Sequence, residues 1–173
     1  MSQSFMQGNA VLGVRYMLPL LAFAAGIFVA EQIESRYKNS KSIHWRQLIL
    51  LIEVLMLGLV GFIPYQFNML ANILVSFSCA MQVQTFRKVH GYGYASTMCI
   101  GNLRSGTESL SQYLRSKDKN ALYKALHFFG IIIIFAIGAG IGGVLSNIWG
   151  IKTILVSPAL LTFVIVMMIK EHR

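Results

Sequence analysis

The stretch FFGIIIIFAIGAGIGGVLSNI, Phe128 to Ile148, holds no charged side chain. A helix that crosses a bilayer needs roughly 20 mostly apolar residues, because each adds about 1.5 Å across a hydrocarbon layer of about 30 Å. Phe128–Ile148 meets that length, and it shows no polar face that a soluble amphipathic helix would turn to water. Four other stretches have the same character: Tyr16–Ile33, Leu48–Tyr65, Met69–Phe86 and Thr153–Ile169. The first of these is the shortest in strictly apolar residues, since Glu31 falls in its last turn, and Met69–Phe86 is the most polar. Composition agrees. Of 173 residues 55% are hydrophobic and only 12% are charged, against about 25% charged in a soluble domain, and the mean hydropathy is +0.62. The expected fold class is all-α, a polytopic transmembrane helix bundle of about five spans forming one integral membrane domain over residues 1–173.

The net charge of +9 raises nucleic acid as a partner. The basic residues lie between apolar spans, however, with no soluble domain to present them, so no nucleic-acid role is expected. Their distribution sets a topology instead. Arg36, Lys38, Lys41 and Arg46 follow the first span. Arg87, Lys88, Arg104, Arg115, Lys117, Lys119 and Lys124 follow the third, and Lys170 and Arg173 follow the fifth. Thirteen of the 15 basic residues thus share one side, leaving Arg15 and Lys152 for the other. Positive loops stay cytoplasmic and are drawn to anionic lipid. The expected location is a bacterial inner membrane with the C-terminus in the cytoplasm, and the expected partners are the bilayer and its anionic headgroups, with a second copy of the chain as a further candidate. A cleaved signal peptide is disfavoured, because Phe28-Val29-Ala30 puts a bulky ring in the candidate cleavage site.

The chain also resembles itself. Phe135-Ala136-Ile137-Gly138 matches Phe23-Ala24-Ala25-Gly26, and Thr97-Met-Cys-Ile-Gly-Asn102 matches Ser4-Phe-Met-Gln-Gly-Asn9. Small residues recur every fourth position, as Ala22, Gly26 and Ala30 in one span and as Gly138, Gly142 and Ser146 in the other. Such residues share a helix face and let a second backbone come close. The first and second spans then correspond to the fourth and fifth. The third span needs a counterpart ahead of Ser4, which the sequence as read does not include. The expectation is the remnant of a 3+3 inverted repeat, with unit one over 1–66, lacking its first helix, and unit two over 67–173. Opposite orientation of the matched spans fits the charge distribution, and inverted repeats of this kind recur in transporters.

The segment SCAMQVQTFRKVHGYGYASTMCIGNLR, Ser78 to Arg104, resembles the signature of the YoaK-type family of uncharacterised bacterial membrane proteins. In that family a helix ending in an alanine-methionine-glutamine run is followed by a basic pair and a threonine-rich segment closing on Gly-Asn. The first half is similar over Phe5–Gly13. Two departures stand out: the family's opening helix is missing, and Gln7 and Ile100 occupy positions where threonine is usual. The resemblance implies a topology and assigns no activity.

Candidate substrate-binding residues follow from polarity inside the spans. Gly8-Asn9 and Gly101-Asn102 form two Gly-Asn turns that fit either a helix cap or a polar centre of broken helix ends. Gln82 needs a hydrogen-bonding partner in hydrocarbon, as do Asn72 and Ser76, for which bonding between helices suffices. Arg104 follows the second turn and suits an anionic solute or a lipid headgroup. Glu53 is the only acid well inside a span and is the candidate for proton or cation coupling, although five residues into its helix it also comes near the headgroups. Leu103–Lys124 suits a helix on the cytoplasmic face, interrupted at Lys117-Asp118-Lys119-Asn120.

No enzyme is expected. The chain has no nucleophile–histidine arrangement, no phosphate-cradling loop followed by lysine, and no cofactor signature. Cys79, Cys99 and the four histidines are too scattered for a disulfide framework or a metal site. The functional expectation is a small-solute transporter or permease-like protein. The alternative is a non-transporting membrane scaffold or lipid-interacting protein, with this chain a shortened and inactive copy.

Overall fold

The structure, a computed structural model, describes residues 10–38, 44–89, 92–93 and 99–171. Six α-helices follow one another: α1 Ala10–Tyr37, α2 Trp45–Val60, α3 Asn68–Thr85, α4 Cys99–Ser116, α5 Lys119–Trp149 and α6 Val156–Glu171. Turns of 3-10 helix, Tyr65–Phe67 and Gly150–Leu155, lead into α3 and α6. Apart from helix, the described residues include one antiparallel ribbon, β1 Lys88–Val89 on β2 Tyr92–Gly93, with Val89 opposite Tyr92. Each of the five apolar stretches therefore lies mainly on helix, although Leu48–Tyr65 leaves α2 at Val60 and turns before Tyr65. Two helical runs, Gly13–Tyr37 and Lys119–Lys170, are long and apolar enough to cross a membrane.

The helices form two compact units, and the first contains α1, α2, α3 and α6. Its tightest contact is α1 on α3. A Cβ built on Gly26 would stand 2.5 Å from the carbonyl oxygen of Phe77 and 2.8 Å from the Cβ of Ala80. Only a residue with no side chain lets the two backbones meet there. One turn on, Ala30 is fully buried in a cluster with Trp45, Ile49 and Met81, flanked by Val29, Ile33, Ile52 and Phe77. The small-residue face of α1 expected from sequence thus receives α3 at Gly26 and joins the core at Ala30. At the start of α2, the His44 ring nitrogen accepts from the Arg46 N–H at 3.3 Å, and the Arg46 guanidinium lies 5.2 Å over the Trp45 ring. At the other end Leu155 sits directly above Gly61, which ties the entry of α6 to the exit of α2.

The second unit contains the ribbon, α4 and α5. Asn102, Gly106 and Ser109 are the buried residues of α4, spaced to share one face. A Cβ on Gly106 would stand 3.2 Å from Phe128 and 3.3 Å from Phe129 of α5, so α4 rests on the aromatic pair. The break between the helices falls at Lys117-Asp118, inside the expected interruption. Lys117 takes a positive φ of 55°, and its N–H reaches the Tyr113 carbonyl at 2.7 Å, a left-handed close to α4. Asp118 then caps α5, accepting from the Asn120 N–H at 2.9 Å. Asp118→Ala removes that acceptor and is expected to cost about 1 kcal/mol, read as a lower unfolding midpoint of the purified chain.

One difference from the sequence reading concerns Gly101-Asn102. The pair was expected in a turn ahead of a helix, but α4 already begins at Cys99 and holds both residues in its first turns.

Beyond Gly130, α5 has no buried residue. Ile133 is 58% exposed, Ile134 72% and Phe135 40%, although these consecutive side chains point in different directions around the helix. Nothing lies within 4 Å of the Cβ positions of Gly138, Gly140, Gly142 or Gly143. Such a helix, apolar on every side and buried on none, belongs to the run Lys119–Lys170 that is long and apolar enough to cross a membrane. The run ends at Gly150, whose φ of 60° combined with ψ of −139° is readily adopted only by glycine.

Candidate functional site

Glu53 is the most unusual side chain of the first unit. It lies in α2 and is only 1% exposed, and its Oε1 has no hydrogen-bond partner among the described residues. No basic side chain forms an ion pair with it there; the ion pair found among the described residues joins Lys38 and Glu34. The α3 side chains near this point are soft or neutral. Ser78 directs its hydroxyl at the sulfur of Met56 in α2, 3.9 Å away. An isolated ionised carboxylate in such a place is very costly. A carboxyl there has two ways to be neutral: it carries a proton, or it holds a cation. No group of three or more metal-ligating side chains occurs among the described residues.

The remaining expected site residues are distributed over both units. Gln82 is half-buried on α3, in the same unit as Glu53. Two residues on, Gln84 donates from its amide to the Glu31 carboxylate of α1, and the Thr85 hydroxyl donates to the Met81 carbonyl at 2.7 Å. Asn102 is 3% exposed, whereas Gly101 and Arg104 on the same helix are exposed; all three belong to the second unit. Gly8 and Asn9 lie outside the described residues. Glu53 and Gln82 therefore share one packed unit, and Gly101, Asn102 and Arg104 share the other. Of the small-residue positions, Gly26 and Ala30 are buried and Ala22 is half-buried. Gly138 and Gly142 face open space, and Ser146 is exposed.

Sequence reasoning missed a cleft. Between the first half of α1 and the start of α3 lies a cavity of about 450 Å³, lined by Arg15, Tyr16 and Pro19 on one side and by Gln66, Asn68, Met69 and Asn72 on the other. Arg15 had counted only as a topological charge, and Asn72 as a bond between helices. The available signal was spacing: Arg15 and Pro19, like Asn68 and Asn72, stand four apart and share a helix face.

These observations define a class: a helical protein with two runs long and apolar enough to cross a membrane, and with a carboxyl sealed between its helices. More narrowly, residues 1–167 match a family described as "Protein of unknown function (DUF1275)", and the chain belongs to that family. No curated protein and no solved structure matches it.

Proposed function

We propose that the chain is a multi-pass protein of the bacterial inner membrane, akin to the YoaK-type proteins it resembles, that moves a small polar solute coupled to a proton or cation at Glu53. The observation that carries this reading is the buried carboxyl, which has no basic partner among the described residues. Ionisable groups inside membrane helices are costly to keep, and they mark ion and proton paths. The inverted repeat read from the sequence supports the same class, and the thirteen basic residues on one side support a cytoplasmic C-terminus. In this reading Gln82, in the same unit as Glu53, supplies a polar contact along the path.

The test is reconstitution of the chain into liposomes loaded with a pH-sensitive dye and challenged with gradients of small amides, polyols, amino acids and organic anions. Solute-dependent proton movement above that of protein-free liposomes is expected. Silence toward every solute, with the protein correctly inserted, would remove transport from consideration.

A second reading has its own support in the open face of α5. If the protein is a scaffold, Gly138 and Gly142 form a surface for another helix, and Gly138→Leu abolishes association while Glu53→Gln changes nothing. Cross-linking in native membranes separates the two readings.

A further inference from the structure

The geometry points to the cleft between α1 and α3 as a binding site for a small anion, whose carboxylate or phosphate oxygens are held by the guanidinium of Arg15. Among the described lining residues Arg15 carries the only charge, with no acid beside it, and no described acidic residue forms an ion pair with that guanidinium. Arg15 is exposed, so its guanidinium is open to an anion arriving from outside the packed helices. Arginine presents a planar fork of N–H donors that matches two oxygens of a carboxylate or phosphate at once.

The rest of the lining completes such a site. The Tyr16 hydroxyl and the amides of Gln66, Asn68 and Asn72 donate hydrogen bonds to whatever oxygens the guanidinium leaves open. Pro19 and Met69 supply an apolar wall for a short hydrocarbon portion. A volume of about 450 Å³ lies within the usual range for small-molecule sites, roughly 300–1,000 Å³. The walls belong to the two helices that meet backbone to backbone further along, at Gly26.

Two sources carry the same chemistry: a dissolved carboxylate or phosphate, and the phosphate of a lipid headgroup. As a substrate-entry site the cleft rests on the transport reading above, and on the charge distribution that leaves Arg15 opposite the crowded basic side. As an anion site it does not.

The experiment uses the full chain purified in an uncharged detergent. Its unfolding temperature is followed during titration with sodium succinate or sodium phosphate, each against sodium chloride at equal ionic strength, and with micelles doped with phosphatidylglycerol. A saturable rise is expected with a dissolved anion. It should weaken roughly ten- to a hundredfold in Arg15→Gln and partly recover in Arg15→Lys. An Arg15-dependent rise with phosphatidylglycerol alone supports the same site with a headgroup as its occupant. No rise that depends on Arg15, with any of the three, overturns the proposal. Because a variant can fail through misfolding, the wild-type chain gives a second measurement. Arginine-specific labelling of Arg15 by phenylglyoxal is expected to be slowed by the stabilising anion, and equal labelling with and without every anion also overturns the site. Arg15-dependent binding in a chain that moves no solute would uphold this inference while the transport reading falls.

Discussion

Gly26→Val is expected to abolish the folded first unit. The valine Cβ would stand 2.5 Å from the Phe77 carbonyl oxygen, a distance that no rotamer change relieves, because the obstacle is backbone. Helices α1 and α3 must move apart, and the Ala30–Trp45–Ile49–Met81 cluster one turn away loses its close packing. Even the single methyl of Gly26→Ala is expected to cost about 1–3 kcal/mol, and valine more. Gly138→Ala is the matched control: it has the same residue type in the matching sequence context, but nothing lies within 4 Å of its Cβ position, so the purified chain should unfold at an unchanged temperature. Unfolding followed by circular dichroism in detergent checks both. Equal behaviour of Gly26→Ala and Gly138→Ala would show that the α1–α3 contact is not as drawn.

Glu53→Gln carries the second large effect, and it falls on function. Glutamine keeps the shape of the side chain and its capacity for hydrogen bonds, but it cannot take up or release a proton at any accessible pH, and it carries no charge for a cation. In the dye-loaded liposomes, solute-dependent proton movement is expected to drop at least tenfold while the unfolding temperature stays level. Glu53→Leu is expected to match or exceed wild-type stability, since well-packed apolar replacements of buried charged groups are often neutral or stabilising. A Glu53→Gln chain that moves protons like wild type would end the coupling assignment.

The helices were legible because the signals that make and end them are local. The charge-free run at Phe128–Ile148, the Lys117-Asp118 break and the glycine at 150 can be read without knowing what packs where. The α1–α3 contact was legible in part, for a related reason: the four-residue spacing of Ala22, Gly26 and Ala30 marks a face built for close approach whatever its partner is. The cleft was not legible. Arg15 and Asn72 are far apart in sequence, and what joins them is the crossing of two helices, which no local pattern encodes. Glu53 was visible as an acid in an apolar helix, but its depth was not. Five residues from Leu48 it could still have reached the headgroups, and only the packing of α2 among the helices of the first unit seals it away. The Gly-Asn pairs show the opposite failure. Their likeness in sequence suggested two matching turns, yet Gly101-Asn102 has the backbone of an ordinary helix.

The bare end of α5 has a consequence for depth. The helix has 31 residues, about 46 Å at 1.5 Å per residue, well beyond a hydrocarbon layer of about 30 Å. Its buried residues, Ala121, Ala125 and Phe128, all belong to the first ten positions, where α4 covers it. The uncovered remainder from Ile131 to Trp149 measures about 28 Å on the same rise, close to the thickness of the layer itself. If the chain spans the bilayer as proposed, such a helix carries its own depth gauge, since sliding it outward would drag Lys119 and Lys124 toward the acyl chains. On that reading thin and thick bilayers should be met by tilt of the bare segment rather than by vertical displacement.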